Sequence, residues 1–442
     1  MSNPRQPLPD NLTDWLALLE RRHGTVVDLG LDRIVKIWRR MGCPRPAPRV
    51  FVVAGTNGKG STVATLCSLL GSLGYRYGSY TSPHIEAYNE RVRVNGEAES
   101  DRSLIAAFEN VEAARGDCKL SYFEFGTLAA IDLLSRAELD FAVMEIGLGG
   151  RLDAVNLLDA DCAVITPIGL DHQEYLGDDL VSIGREKAGI IRRGKPVICG
   201  ESNPPSSVVE TARALNAPIK RLGHEFTIEA QGGRALFSLR DLRLDLPLPV
   251  LDGPHQVNNM ATAVAALLEL VPEASGRPGE LADGLRGVSL RGRFERIVQR
   301  PAVWVDVGHN PLGAKAAAVA LFEACSRERV ETVRCVLAML ADKDAVGVAR
   351  ELVPVVDALY CAGLVADRGQ TGGQLAARLT KAGVPVEIRT FERVGSAIDS
   401  ALAASSPDDA VFVFGSFYTA AEAFAHLRSL NHDNRPPMLL ES

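Results

Sequence analysis

The sequence predicts an α/β protein of two domains. An amino-terminal domain of the P-loop type combines a parallel sheet with a small antiparallel one, and a carboxyl-terminal domain is Rossmann-like. Three observations carry this. At 442 residues the chain exceeds what one ordinary hydrophobic core fills. Apolar runs bounded by glycine alternate with helical patterns, the signature of parallel strands joined by crossover helices. From about Glu225 to Val250 that rhythm gives way to short alternating stretches with glycine and proline, which reads as the antiparallel sheet.

The β-branched run Val50 to Ala54 is the first clear strand, and it enters Gly55-Thr56-Asn57-Gly58-Lys59-Gly60-Ser61. Beyond that loop Val63, Leu66, Leu69 and Leu70 recur at helical spacing. A second buried strand, Phe141 to Ile146, carries Glu145 near its end; a third, Cys162 to Thr166, leads into Gly169-Leu170-Asp171-His172. Polar residues at the carboxyl ends of such strands face the ligand crevice. A helix from Gln256 to Leu270 follows the antiparallel stretch, and Gly276 to Arg293 is rich in glycine and arginine. A new strand and loop begin at Val303 to Val307, which puts the domain boundary near Arg296 to Arg300 and the domains at 1–297 and 298–442. Strands near Cys335 to Ala338, Ala358 to Cys361 and Val411 to Phe414 form the second series.

Composition excludes several classes. Hydrophobic residues at 46% and charged residues at 23% fit a globular enzyme and not a disordered or fibrous chain. With 48 Lys and Arg against 55 Asp and Glu, and no long single-sign run, the footprint of a nucleic-acid binder is lacking. No apolar run approaches the length of a membrane span, and no basic segment followed by an apolar stretch opens the chain. Eight scattered cysteines without CxxC spacing read as buried free thiols in a reducing compartment, so a cytoplasmic protein without membrane contact is expected.

The strongest chemical signal is the loop Gly55 to Ser61. Its glycines let backbone N–H groups converge on phosphate oxygens, Lys59 adds a point charge, and the following helix adds its dipole. It is a variant of the general phosphate loop: Val53 stands where the first glycine is expected, and Gly60 is inserted between the lysine and Ser61. Glu145, a carboxylate at a buried strand end, needs a charge to meet. Read alone, His172 is a hydrogen-bonding residue more than a magnesium ligand, and Lys187, within Val181 to Ile191, is a solvated lysine in an ion pair.

The loop, followed by TSPH (Thr81 to His84) and ERVRVNGE (Glu90 to Glu97), resembles the amino-terminal domain of folylpolyglutamate synthases, relatives of the Mur ligases of cell-wall synthesis. FEFGTLAA (Phe123 to Ala130), EIGLGGRLDAVN (Glu145 to Asn156), LDH (Leu170 to His172) and GREKAGI (Gly184 to Ile190) match in order. GRFE (Gly292 to Glu295), DVGHNP (Asp306 to Pro311) and GSF (Gly415 to Phe417) extend the resemblance over nearly the whole chain.

The resemblance implies ATP as a substrate, held by Gly55 to Ser61, and two magnesium ions. Ser61 or Ser82 with Glu145 would hold one ion, and Glu145 with His172 would reach the second. The lysine matching Lys187 is carbamylated in the family, which turns a cation into an anionic ligand. Asn259 matches an adenine contact, Arg293 a phosphate contact, and Asp306 with His309 the ribose-side loop; by itself Asn259 reads equally as an amide at a helix start. The pterin substrate is expected to meet Val27-Asp28-Leu29, Tyr122-Phe123-Glu124 and Leu152-Asp153-Ala154, with Asp28 or Asp153 accepting from its donor edge. Asp28 and the LDAVN stretch resemble the bifunctional bacterial enzymes that make dihydrofolate and also extend folates.

The expected reaction is ligation of L-glutamate to dihydropteroate and to tetrahydrofolate through an acyl phosphate, by a monomer, with Lys59, Glu145, His172 and Lys187 as the catalytic set. A monofunctional folylpolyglutamate synthase is the nearest alternative. A Mur ligase acting on a UDP-sugar peptide would need a uridine-binding domain, for which the residues before Val50 leave no room. A P-loop ATPase switch would leave GRFE and DVGHNP unexplained, and a dinucleotide oxidoreductase would need GxGxxG spacing that Gly55 to Ser61 lacks.

Overall fold

The structure, a computed structural model, describes residues 8–22 and 29–432. The chain falls into two compact units, Met1–Leu248 with Asn258–Val288, and Pro249–Val257 with Ser289–Ser442.

The first unit is organised by eight strands: β1 (Arg49–Ala54), β2 (Tyr77–Tyr80), β3 (Val92–Val94), β4 (Glu97–Ala98), β5 (Phe141–Glu145), β6 (Cys162–Ile165), β7 (Val197–Cys199) and β8 (Ile219–Arg221). Their order across the sheet is β4-β3-β2-β5-β1-β6-β7-β8. Every pairing is parallel except β2 with β3 and β3 with β4. The chain runs from β1 out to β2, returns to β5, and only then crosses to β6 on the other side of β1. That reversal of direction opens a crevice beyond the carboxyl ends of β5, β1 and β6.

Successive side chains of a strand point to opposite faces, and β1 shows what that requires. Val50, Val52 and Ala54 enter one core, with Trp15, Phe108, Phe125 and Ile183, while Phe51 and Val53 enter another, with Leu66, Leu69, Val264 and Leu267. A strand covered by helices on both faces must be apolar at every position, which is why this stretch reads as a continuous run. The small sheet β9 (Phe226–Gln231), β10 (Arg234–Leu239) and β11 (Leu242–Pro247) is antiparallel with β10 central, and Phe226, Phe237 and Leu246 join the second of these cores.

The second unit carries β12 (Glu295–Val298), β13 (Ala302–Asp306), β14 (Val333–Leu337), β15 (Ala358–Ala362), β16 (Glu387–Phe391) and β17 (Ala410–Phe414), ordered β12-β13-β17-β14-β15-β16. Only β12 is antiparallel; its pairing with β13 places Glu295–Val298 in the second unit, which begins a few residues ahead of the stretch Arg296 to Arg300. Phe294 stacks on Trp304 with ring centroids 5.5 Å apart and anchors that edge.

All eight cysteines are unpaired, and five are buried, but Cys43 is exposed, on a turn after the helix Asp32–Arg40 rather than inside an apolar run. Among the described residues no helix is long and apolar enough to cross a membrane.

Phe108 is fully buried and meets Trp15, Tyr88 and Phe125 edge-on at 5.6 to 5.7 Å between centroids. Phe108→Ala is expected to cost the first unit about 3–5 kcal/mol, as phenylalanine truncation does in a close-packed core. The urea midpoint of that unit reads it; a loss below about 1 kcal/mol would mean the ring is not part of the packing that holds the unit.

Candidate active site

The loop between β1 and the helix Lys59–Ser72 lies at the crevice. Two of its glycines are needed for contact as well as for conformation. A Cβ at Gly55 would fall 1.8 Å from Oγ1 of Thr166, and one at Gly58, where φ is +86°, would fall 2.5 Å from Oδ1 of Asn259. The loop is tied to the segment after β6: the N–H groups of Thr56 and Asn57 donate to Pro167 O at 2.9 and 3.3 Å. The Thr56 hydroxyl donates to Gly169 O and accepts from Gly169 N, both at 3.0 Å. Gly58 caps the helix and has no side chain to offer the first-turn N–H groups, so these donors and the helix dipole favour an anion.

Two ammonium groups meet here. Lys59 Nζ donates to Gly55 O at 3.1 Å and to Thr56 O at 3.0 Å, and Lys187 Nζ donates to the same Gly55 O at 2.9 Å. Lys187 is 3% exposed, not the solvated lysine that its helical setting alone suggests, because the helix Leu180–Ala188 turns it inward. Burial pushes its amine down to about 7, the Lys59 charge pushes the same way, and Asp171 and Asp153 oppose them. Glu145 ends β5 in register with Val53, is 5% exposed, and accepts from Ser82 N at 3.4 Å. Ser61 is buried in the first turn of the helix, and Asn259 is buried with its amide against Gly58.

His172 stands in a left-handed conformation, with its N–H donating to Asp171 Oδ1 at 2.9 Å, and begins the short helix Gln173–Leu176. Ser61, Ser82 and Glu145 supply the hard oxygen donors that a small divalent cation takes. Among the described residues no group of three or more His, Cys, Asp or Glu forms a ready-made metal cage, so such a cation would draw on phosphate oxygens and water as well.

The residues expected around the pterin divide. Val27 and Asp28 lie outside the described residues, and Leu29 is half-buried at their edge. Tyr122, Phe123 and Glu124 begin the helix Tyr122–Ser135. The tip of the Phe123 ring lies against Gly147, where a Cβ would come within 2.5 Å of it, and the ring is 6.0 Å from that of Tyr80. Glu124 has work within the protein: Oε2 accepts from Ser121 N at 2.7 Å in a capping box, and Oε1 accepts from Arg33 Nε at 3.0 Å. Asp153 likewise accepts from Leu148 N at 2.8 Å and Val155 N at 2.9 Å, holding the turn between Leu152 and Ala154. Its carboxyl is 2% exposed, and burial pushes it up to about 7 against those hydrogen bonds. Both expected pterin contacts thus also hold their own loops, since buried backbone N–H groups claim acceptors.

One residue went unassigned: Arg91, in ERVRVN. Its Nε donates to His84 Nδ1 at 2.9 Å and its guanidinium lies 5.1 Å from the Tyr88 ring and 5.6 Å from that of Tyr122. Burial, then the Arg91 charge, push His84 down to about 4, so the imidazole stays a neutral acceptor. An arginine inside a family motif was the available signal.

In the second unit Asp306 accepts from Phe294 N at 2.8 Å and from Gly308 N at 2.7 Å, binding the turn at Gly292 to the loop after β13. The Arg293 guanidinium lies 5.3 Å from the Phe417 ring, and the His309 ring 6.4 Å from it. GRFE, DVGHNP and GSF thus meet at one end of that sheet. Asp306, expected beside a ribose, also braces this cluster.

The fold and this site define a nucleotide-binding α/β enzyme with two lysines at its phosphate loop. The Mur ligase middle domain model matches residues 53–267, and the Mur ligase glutamate ligase domain model matches 292–417. The dihydrofolate synthase/folylpolyglutamate synthase of Escherichia coli K12 is 43% identical over 93% of this chain and 94% of its own. The structure of E. coli FolC in complex with DHPP and ADP superposes with a TM-score of 0.87 at 41% identity, covering 96% of this chain and 99% of that one. The Yersinia pestis bifunctional folylpolyglutamate synthase/dihydrofolate synthase complexed with AMPPNP and Mn ion gives 0.87 at 40% identity, covering 96% and 100%. The chain belongs to the dihydrofolate synthase/folylpolyglutamate synthase family of Mur ligases.

Glu124→Ala removes a cap and orphans part of Arg33, so it is expected to cost about 1–3 kcal/mol in thermal or urea unfolding; a purely ligand-contacting role would leave stability unchanged. The folded Lys187 amine sits near 7 against 10.5 unperturbed, so the unfolded chain binds more protons between those values and stability gains as pH rises through that window. In metal-free protein the gain is expected to reach about 1.4 kcal/mol per pH unit at most, and Lys187→Met is expected to flatten it. Parallel curves for the two proteins would overturn this reading of Lys187.

Proposed function

We propose that this chain is an ATP-dependent ligase that joins the amine of L-glutamate to a pterin-bearing carboxylate, making dihydrofolate from dihydropteroate and polyglutamates from tetrahydrofolate. The observation that carries it is the convergence of Lys59 and Lys187 on Gly55 O, beside Glu145 and Asn259. The Lys59 ammonium and the N–H groups of the helix start favour an anion of high charge such as a nucleotide triphosphate, while Lys187, buried beside Lys59, is the amine that is easily discharged. Near end-to-end similarity to enzymes named for this activity supports the same substrates.

The substrate carboxylate attacks the γ-phosphorus of ATP, and ADP leaves. Lys59 exchanges its loop carbonyls for phosphate oxygens, with the first-turn N–H groups of the helix Lys59–Ser72 alongside. Asn259, which lies against Gly58, is the adenine contact. Ser61, Ser82 and Glu145 would hold one magnesium ion, and Glu145 with His172 a second. Bound there, magnesium neutralises and orients the phosphates. Lys187, buried and easily discharged, suits carbamylation: the neutral amine adds to carbon dioxide and loses one proton, leaving an anion where a cation stood. The acyl phosphate so formed is attacked by the glutamate amine, and phosphate departs as the amide closes.

Arg293, Asp306 and His309 are further nucleotide contacts, and the carboxyl-terminal domain carries the ligation of glutamate. Unpaired cysteines fit a cytoplasmic enzyme, working as a monomer on small molecules.

The test is ATP-dependent phosphate release with L-glutamate and either dihydropteroate, tetrahydrofolate or no pterin. Release with both pterins is expected; tetrahydrofolate alone would reduce the enzyme to a folylpolyglutamate synthase, and equal release in all three would point to an ATPase switch. Lys59→Ala is expected to lower kcat by about a hundredfold or more.

A further inference from the structure

Beyond the carboxyl end of β7 lies an acid that no step above uses. Glu201 is half-buried, and its Oε1 accepts from Ile168 N at 3.3 Å. Among the described residues no lysine, arginine or histidine pairs with its carboxylate, and burial lifts the carboxyl to about 7. A half-buried carboxyl without a counter-charge is costly, so its hydrogen bond needs a reason.

The reason is what Ile168 belongs to. Its two neighbours in sequence are the residues that fasten the phosphate loop. Pro167 O accepts from the N–H groups of Thr56 and Asn57, and Gly169 exchanges two hydrogen bonds with the Thr56 hydroxyl. The same segment runs on to His172. Glu201 is itself fixed from behind. Gly200 N donates to Ile165 O at 2.8 Å, and Gly200 sits so close to the helix bearing Asn259 that a Cβ there would lie 2.8 Å from Oγ1 of Thr262, one turn on from Asn259. The Gly200–Glu201 turn is therefore braced on one side by the Asn259 helix and on the other grips the segment to which the phosphate loop is tied.

We propose that Glu201 is a positioning residue for the nucleotide: by holding Ile168 it keeps segment 166–172, and through it Thr56 and Asn57, in the geometry that binds ATP phosphates. It touches neither nucleotide nor pterin, and it acts by its acceptor rather than its charge. The inference rests on the ATP-dependent reading above, so wild-type turnover with all three substrates is established first, and that result alone judges the reading.

The test is a set of substitutions in the full-length enzyme, with KM for ATP, kcat and melting temperature measured on each. Glu201→Leu removes the acceptor and strands the Ile168 N–H; KM for ATP is expected to rise about tenfold, the effect of losing one buried hydrogen bond, with kcat changed less than KM. Glu201→Gln keeps an acceptor oxygen and is expected to restore KM to within about twofold of wild type. That rescue is what mere loss of packing would not give. Should Glu201→Leu fail to fold, Glu201→Asp, which draws the acceptor back by one methylene, is expected to raise KM in the same direction. An unchanged KM in Glu201→Leu, or in Glu201→Asp when it stands alone, would overturn the proposal, as would a Glu201→Gln enzyme with KM raised as far as in Glu201→Leu.

Discussion

Two like charges on one carbonyl oxygen are the constraint around which the first unit is arranged. Lys59 and Lys187 both donate to Gly55 O, in a pocket where Lys187 is almost wholly removed from water. Repulsion at that distance is strong where the dielectric is low. The arrangement persists because backbone carbonyls accept from both amines, the acids Asp171 and Asp153 offset the repulsion, and Lys187 gives up its proton easily. Around it Gly55 and Gly58 must lack side chains so that Thr166 and Asn259 can close in, and β5 ends on Glu145 in register with Val53.

The acids of the crevice divide by which acceptor need is most urgent. Glu145 accepts the Ser82 N–H at 3.4 Å, a long contact, whereas Asp153, Glu124 and Asp306 each accept at 2.7 to 3.0 Å from groups of the protein itself. A carboxylate so engaged shapes a loop, a role that motif membership does not reveal, since all four lie within or beside the family's motifs.

This marks where the sequence is legible. The phosphate loop could be read because its chemistry is local: glycines, a lysine and a hydroxyl within seven positions, after a strand. The strands β1, β5 and β6 could be read because both faces are buried and the run is unbroken. β2, with tyrosines and a serine, and β7, only three residues long, could not, since neither presents a periodic pattern long enough to stand out. The meeting of Lys59 with Lys187 joins positions far apart in the chain, and Arg91 with His84 is a pairing whose energetics depend on burial. Neither is written in spacing.

The split of the first unit has a consequence for synthesis on the ribosome. The core on one face of the eight-stranded sheet is composed of residues up to Ala217, whereas the core on the other includes Met260 through Leu285. Segment 258–288 follows a stretch that belongs to the second unit. A nascent chain can therefore cover half of the sheet early, but Phe51, Val53 and Phe141 have no complete cover until nearly two-thirds of the polypeptide has emerged. Through that interval an apolar surface is exposed, a state that favours association with other chains and engagement of chaperones.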